Sequence, residues 1–108
     1  VNFAEEQTKK FGLRAPMVGH LGDGNFHVLL PFDPEKKETY KKIREFNDLL
    51  IKKSLELNGT ITGEHGIGLH KKEYLLEEHP DNIPVMKSIK RTIDPNNIMN
   101  PGKIFDLN

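Results

Sequence analysis

Apolar side chains recur at helical spacing in several stretches of this chain and alternate with polar ones in only a few short runs. Residues 2–11 carry the helical pattern, with Asn2 at the N-cap position, Glu5 at the capping-box spacing and Gly12 as the stop. Asp33-Pro34 predicts the opening of a second, longer helix. Its stripe runs through Tyr40, Ile43, Phe46, Leu50 and Leu57, widened by Leu49 and Ile51, and Asn58-Gly59 closes it. Two further helices follow, Leu69 to Glu78 and Ile83 to Ile93, with Pro80 between them and Pro84 tolerated in a first turn. Strand character is confined to residues 15–21 and 26–32 and to the β-prone Thr60-Ile61-Thr62. The pattern predicts an α+β fold, a small antiparallel sheet with helices packed on it.

The two longer strand-like runs flank Gly22-Asp23-Gly24-Asn25. Asp-Gly favours a two-residue hairpin turn. That turn would set His20 directly opposite His27, at the roughly 4.5–5.5 Å Cβ separation of a cross-strand pair. Two imidazoles so placed can converge on one metal ion. Taken alone, they read more readily as turn or surface histidines.

The second informative run is Gly63-Glu64-His65-Gly66-Ile67-Gly68, where glycines on both sides of a Glu-His pair permit close backbone approach. Gly-x-Gly opening a helix also resembles an anion cradle, but no lysine stands in the Walker position and the full dinucleotide fingerprint is missing. The chain has no cysteine, so disulfides, thiolate metal sites and a thiol nucleophile are excluded. A metal would need imidazole and carboxylate, which His20, His27 and Glu64 supply. Two histidines and a carboxylate leave coordination positions open, as in catalytic zinc or non-haem iron sites. His65 would then stand beside the metal as a base. His70, His79, Lys71 and Lys72 read as structural or solvated.

Charge narrows the partners. Lys+Arg and Asp+Glu each number 16 of 108 residues, so there is no basic field for nucleic acid. No apolar run approaches a membrane span, and no signal peptide or lipidation motif is visible. Absence of cysteine fits a cytoplasmic protein. With 35% apolar and 30% charged residues, the composition predicts one small domain with a thin core. A chain of that kind, beginning at Val1, reads as a piece of a larger molecule.

Three segments together resemble one family: Gly19 to His27, Thr62 to Gly68, and Asp94-Pro95-Asn96-Asn97-Ile98-Met99-Asn100-Pro101-Gly102-Lys103. They look like the signatures of the C-terminal domain of FAD-linked oxidases of the D-lactate dehydrogenase, glycolate oxidase D-subunit and D-2-hydroxyglutarate dehydrogenase type, flavoproteins like vanillyl-alcohol oxidase. The resemblance covers nearly the whole chain, 1–108, and implies the C-terminal part of a substrate or cap domain. The FAD-binding domain would lie elsewhere, in the same or a companion chain. By position, His20, His27 and Glu64 match the family's ligands for a divalent metal, zinc or manganese. His65 matches the residue that takes the substrate hydroxyl proton and contacts the substrate. Asn25 lies in the motif at the substrate, and Asn100 lies in a segment returning to the flavin.

The implied reaction is metal-assisted oxidation of a small 2-hydroxy acid with hydride transfer to FAD. The electron acceptor would be a quinone, a cytochrome or an electron-transfer flavoprotein, allowing peripheral association with a membrane. Arg14, Arg44 and Arg91 do not match the family's substrate-carboxylate arginine, so the isolated chain is expected to be inactive. Two alternatives need no flavin: a small metal hydrolase on the same residues, and a non-catalytic interaction domain in which the glycines merely shape turns.

Overall fold

In the computed structural model, which describes residues 1–108, helix α1 (Asn2–Phe11) is followed by strands β1 (Met17–Val18) and β2 (His27–Val28), and then by helices α2 (Lys37–Glu56), α3 (Lys72–Glu78) and α4 (Ile83–Ile93). The α+β expectation holds, with the sheet reduced to one antiparallel pair. The chain divides into two compact units, 1–59 and 60–108. Each has its own small set of buried apolar side chains. No helix is long and apolar enough to cross a membrane.

In the first unit α1 packs on α2. Ala4 and Gln7, one turn apart on α1, are buried, as are Phe46 and Ile51 of α2. Phe46 is fully buried and meets the edge of Phe11 at 6.2 Å between ring centres. Lys53 Nζ lies 5.5 Å from the Phe3 ring centre. Gly12, left-handed at φ 62°, ends α1 by donating its N–H to the Lys9 carbonyl, while Leu13 N–H reaches Thr8. The N-cap residue is Val1 rather than Asn2, and no side chain caps the helix.

Helix α2 starts at Lys37, one turn later than Asp33-Pro34 implies. Asp33 closes a separate turn instead: its Oδ1 accepts Glu35 N–H at 3.0 Å and its carbonyl accepts Lys36 N–H at 3.0 Å. The far end matches expectation, with Asn58 left-handed at φ 58° and Gly59 N–H returning to the Ser54 carbonyl at 2.8 Å.

In the second unit Ile61, Leu75 and Ile83 form the buried apolar set. Helix α4 lies opposite to its hydropathy. Its apolar Val85, Ile89 and Ile93 are exposed, while Lys87 and Lys90 are half-buried and Asp94 beyond them is buried. The reason is local. Asp94 receives Ile98 N–H on Oδ1 at 3.0 Å and Met99 N–H on Oδ2 at 2.9 Å. Lys90 Nζ donates to Asp94 Oδ2 and to the Met99 carbonyl. A charged lock therefore organises the Asp-Pro-Asn-Asn turn.

The Lys90 ammonium, helped by the Met99 and Ile98 amides and opposed by burial, holds the Asp94 carboxyl below its usual value. A carboxyl depressed in the folded state stabilises at pH above its unfolded value, and that contribution is lost as pH falls through the folded value. Acidification below the usual carboxylate range should therefore open this turn. The check is amide exchange at Ile98 and Met99, corrected for intrinsic rate, which should accelerate on acidification and already at neutral pH in Asp94→Asn.

Candidate functional site

The histidine hairpin forms, but in another register. Met17 pairs with Val28 and Val18 with His27, so His20 does not face His27 across the ribbon. Residues 19–26 make the connecting loop, including a 3-10 turn at Leu21–Asp23. Gly24, left-handed at φ 74°, caps that turn rather than sitting at the tip of a two-residue hairpin. The closure comes from Gly19 instead: a Cβ there would lie 2.5 Å from Phe26 Cα and 2.7 Å from the Asn25 carbonyl oxygen. Only glycine allows that crossing. The His20 carbonyl accepts Asp23 N–H at 2.9 Å and Asn25 N–H at 3.2 Å, which places both His20 and Asn25 in the loop and leaves His27 on β2.

The second segment is a glycine loop. Gly63, Gly66 and Gly68 take φ of 54°, 76° and 57°, a left-handed conformation that side-chain-bearing residues resist. Thr60-Ile61-Thr62 leads into it without forming a strand, because Ile61 N–H pairs with a side chain, Glu78 Oε2, at 3.3 Å. Glu78 also holds His79 Nε2 at 3.4 Å, which accounts for that histidine structurally. His65 N–H donates to the Thr62 carbonyl at 3.2 Å. Glu64 Oε1 lies 3.9 Å from His65 Nε2, and both side chains are more than half exposed. A carboxylate and an imidazole side by side on an exposed loop can exchange protons or offer one oxygen and one nitrogen to a cation. By donor type, imidazole nitrogen and carboxylate oxygen suit zinc or manganese.

The tail forms the third segment. Asn100, left-handed at φ 48°, lines a cavity of about 240 Å³ with Ile93, Met99, Ile104, Phe105 and Leu107. Asn97 Oδ1, also at that cavity, is buried without a hydrogen-bond partner. Lys90, Asp94 and Lys103 are the charged members of an otherwise mainly apolar wall.

Ile104 is left-handed at φ 71°, a conformation that costs a β-branched residue about 1–3 kcal/mol. Its N–H donates to the Gly68 carbonyl at 2.8 Å. That bond takes the carbonyl a helix starting at Leu69 would need, and α3 begins at Lys72 instead. Lys72 is not solvated as the charge pattern implies: Nζ donates to the Gly102 carbonyl at 3.1 Å and to Asp106 Oδ1 at 2.8 Å. Arg91 likewise donates to the Leu107 carbonyl. Such partners 16–34 residues away leave no local signal in a sequence.

The imidazoles and the carboxylate able to transfer a proton or ligate a cation thus lie in the 19–26 loop, on β2 and in the glycine loop. The chain belongs to the family of FAD linked oxidases, C-terminal domain, whose family model matches residues 1–104. It is 41% identical over 108 residues to the mitochondrial D-lactate dehydrogenase [cytochrome] of Kluyveromyces lactis, covering 99% of this chain and 18% of that protein. It is 43% identical over 90 residues to the D-2-hydroxyglutarate dehydrogenase of Stutzerimonas stutzeri, covering 81% and 19%. To the glycolate oxidase subunit GlcD of Bacillus subtilis it is 39% identical over 97 residues, covering 89% and 21%. The chain thus spans about a fifth of the length of these relatives.

Proposed function

We propose that this chain is the C-terminal portion of a FAD-dependent enzyme that oxidises a small 2-hydroxy acid, of the D-lactate, glycolate or D-2-hydroxyglutarate class, to the 2-oxo acid. The observation that carries the reading is the Glu64–His65 pair, 3.9 Å apart and exposed on its glycine loop, in a family whose similar members carry 2-hydroxy-acid names. His65 takes the hydroxyl proton, imidazole being the side chain whose ordinary range lies nearest neutrality. Asn25 hydrogen-bonds the substrate. His20, His27 and Glu64 would hold a divalent cation, zinc or manganese, which would supply Lewis-acid polarisation of the substrate oxygens. Asn100 would contact the flavin, and FAD, held mainly by another domain of the same or a companion chain, would supply the hydride acceptor.

Family membership leaves the hydrolase and interaction-domain alternatives without a supporting observation. The test is anaerobic mixing of the intact protein with D-lactate, glycolate, D-2-hydroxyglutarate and the L-enantiomers. Loss of the oxidised-flavin absorbance with one of the first three, and not with an L-enantiomer, is the expected result. A flavin spectrum unchanged by every hydroxy acid overturns the reading.

A further inference from the structure

We propose that Lys72 is a positioning residue for His65, acting through the tail that it ties to the end of the glycine loop. The proposal rests on the reading of His65 as the base.

The observation is a closed circuit. Lys72 Nζ holds both feet of a short arch of tail, the Gly102 carbonyl at 3.1 Å and Asp106 Oδ1 at 2.8 Å. The top of that arch, Ile104, donates its N–H to the Gly68 carbonyl at 2.8 Å. Gly68 lies three residues beyond His65 and four before Lys72, so the circuit returns to its start. An ammonium has three donors, and here it serves two acceptors at once. The Lys72 side chain is only 25% exposed while Asp106 is 70% exposed, so the Gly102 carbonyl and the lysine form the shielded part of the lock.

Two features show why the loop needs it. Glycines at 63, 66 and 68 leave the backbone beside His65 without side chains to pin it. Ile104 holds an unfavourable left-handed conformation, which persists only where its surroundings over-determine it. Removing the ammonium leaves the Gly102 carbonyl and Asp106 without this donor and frees the arch. Ile104 can then relax, and the loop loses its anchor at Gly68.

The test compares Lys72→Met and Lys72→Arg in the intact protein. In Lys72→Met, amide exchange at Ile104 should accelerate at least tenfold and kcat for hydroxy-acid oxidation should fall at least tenfold, with KM changed less than threefold. Lys72→Arg should recover part of both, because it restores donors to the same acceptors. Asp106→Asn, which alters only the exposed partner, gives the same readouts in smaller measure should Lys72→Met fail to fold. Unchanged exchange at Ile104 overturns the lock. Faster exchange with kcat within twofold overturns its reach to His65. A wild-type protein that oxidises no 2-hydroxy acid removes the reading of His65 as base and with it the positioning role, while exchange at Ile104 still decides the lock.

Discussion

Replacing His65 with glutamine should slow flavin reduction by the 2-hydroxy acid by about 10²–10⁴-fold, the usual contribution of a positioned general base. Glutamine keeps a hydrogen-bonding side chain of similar reach but cannot take a proton. Binding should therefore change far less than turnover, and bound FAD and metal should stay at their wild-type content. Stopped-flow flavin absorbance gives the rate, and elemental analysis of the same sample gives the metal. A rate within fivefold of wild type sinks the assignment. Loss of the metal together with the rate would make His65 a ligand, a role the 3.9 Å approach of its Nε2 to Glu64 Oε1 is chemically equipped for.

The second large effect concerns the cation. The purified intact protein should carry near-stoichiometric zinc or manganese. His20→Ala/His27→Ala and Glu64→Gln should each reduce it to about a tenth or less, with roughly 10³-fold slower flavin reduction, as loss of several kcal/mol of Lewis-acid stabilisation implies. The single variants are informative because the register separates the two histidines. His27 lies on β2, paired with Val18, while His20 sits in a turn held through its own backbone carbonyl. Metal retained in His20→Ala but lost in His27→Ala would remove His20 from the ligand set. Metal-free wild-type protein that still reduces its flavin would remove the cation altogether.

Helix signals were readable where local chemistry suffices. Gly12 stops α1 because its left-handed backbone offers the closing hydrogen bonds, and Asn58-Gly59 closes α2 by similar means. Helix α4 runs from Ile83 to Ile93 as the sequence implies, since Pro84 fits its first turn and Asp94-Pro95 cannot continue it. The hairpin shows the limit. Asp23-Gly24 carries a strong two-residue turn signal, yet Gly24 caps a 3-10 turn and Gly19 takes the close crossing. Several glycines in one short run leave the register open, because any of them can supply the unusual backbone.

The motifs and their order were written in the sequence: a histidine hairpin, a Glu-His pair between glycines, and an Asp-Pro-Asn-Asn tail, enough to point to one family. Helix limits and residue types follow from forces acting over a few residues, and those forces read the chain locally. The register at His27, the outward apolar side of α4, the Asp94 lock and the Lys72 circuit came only with the tertiary structure. Each joins groups whose pairing depends on where the backbone has already been brought. A lysine in a charge-rich stretch looks the same in sequence whether it is solvated or ties down a tail 30 residues away.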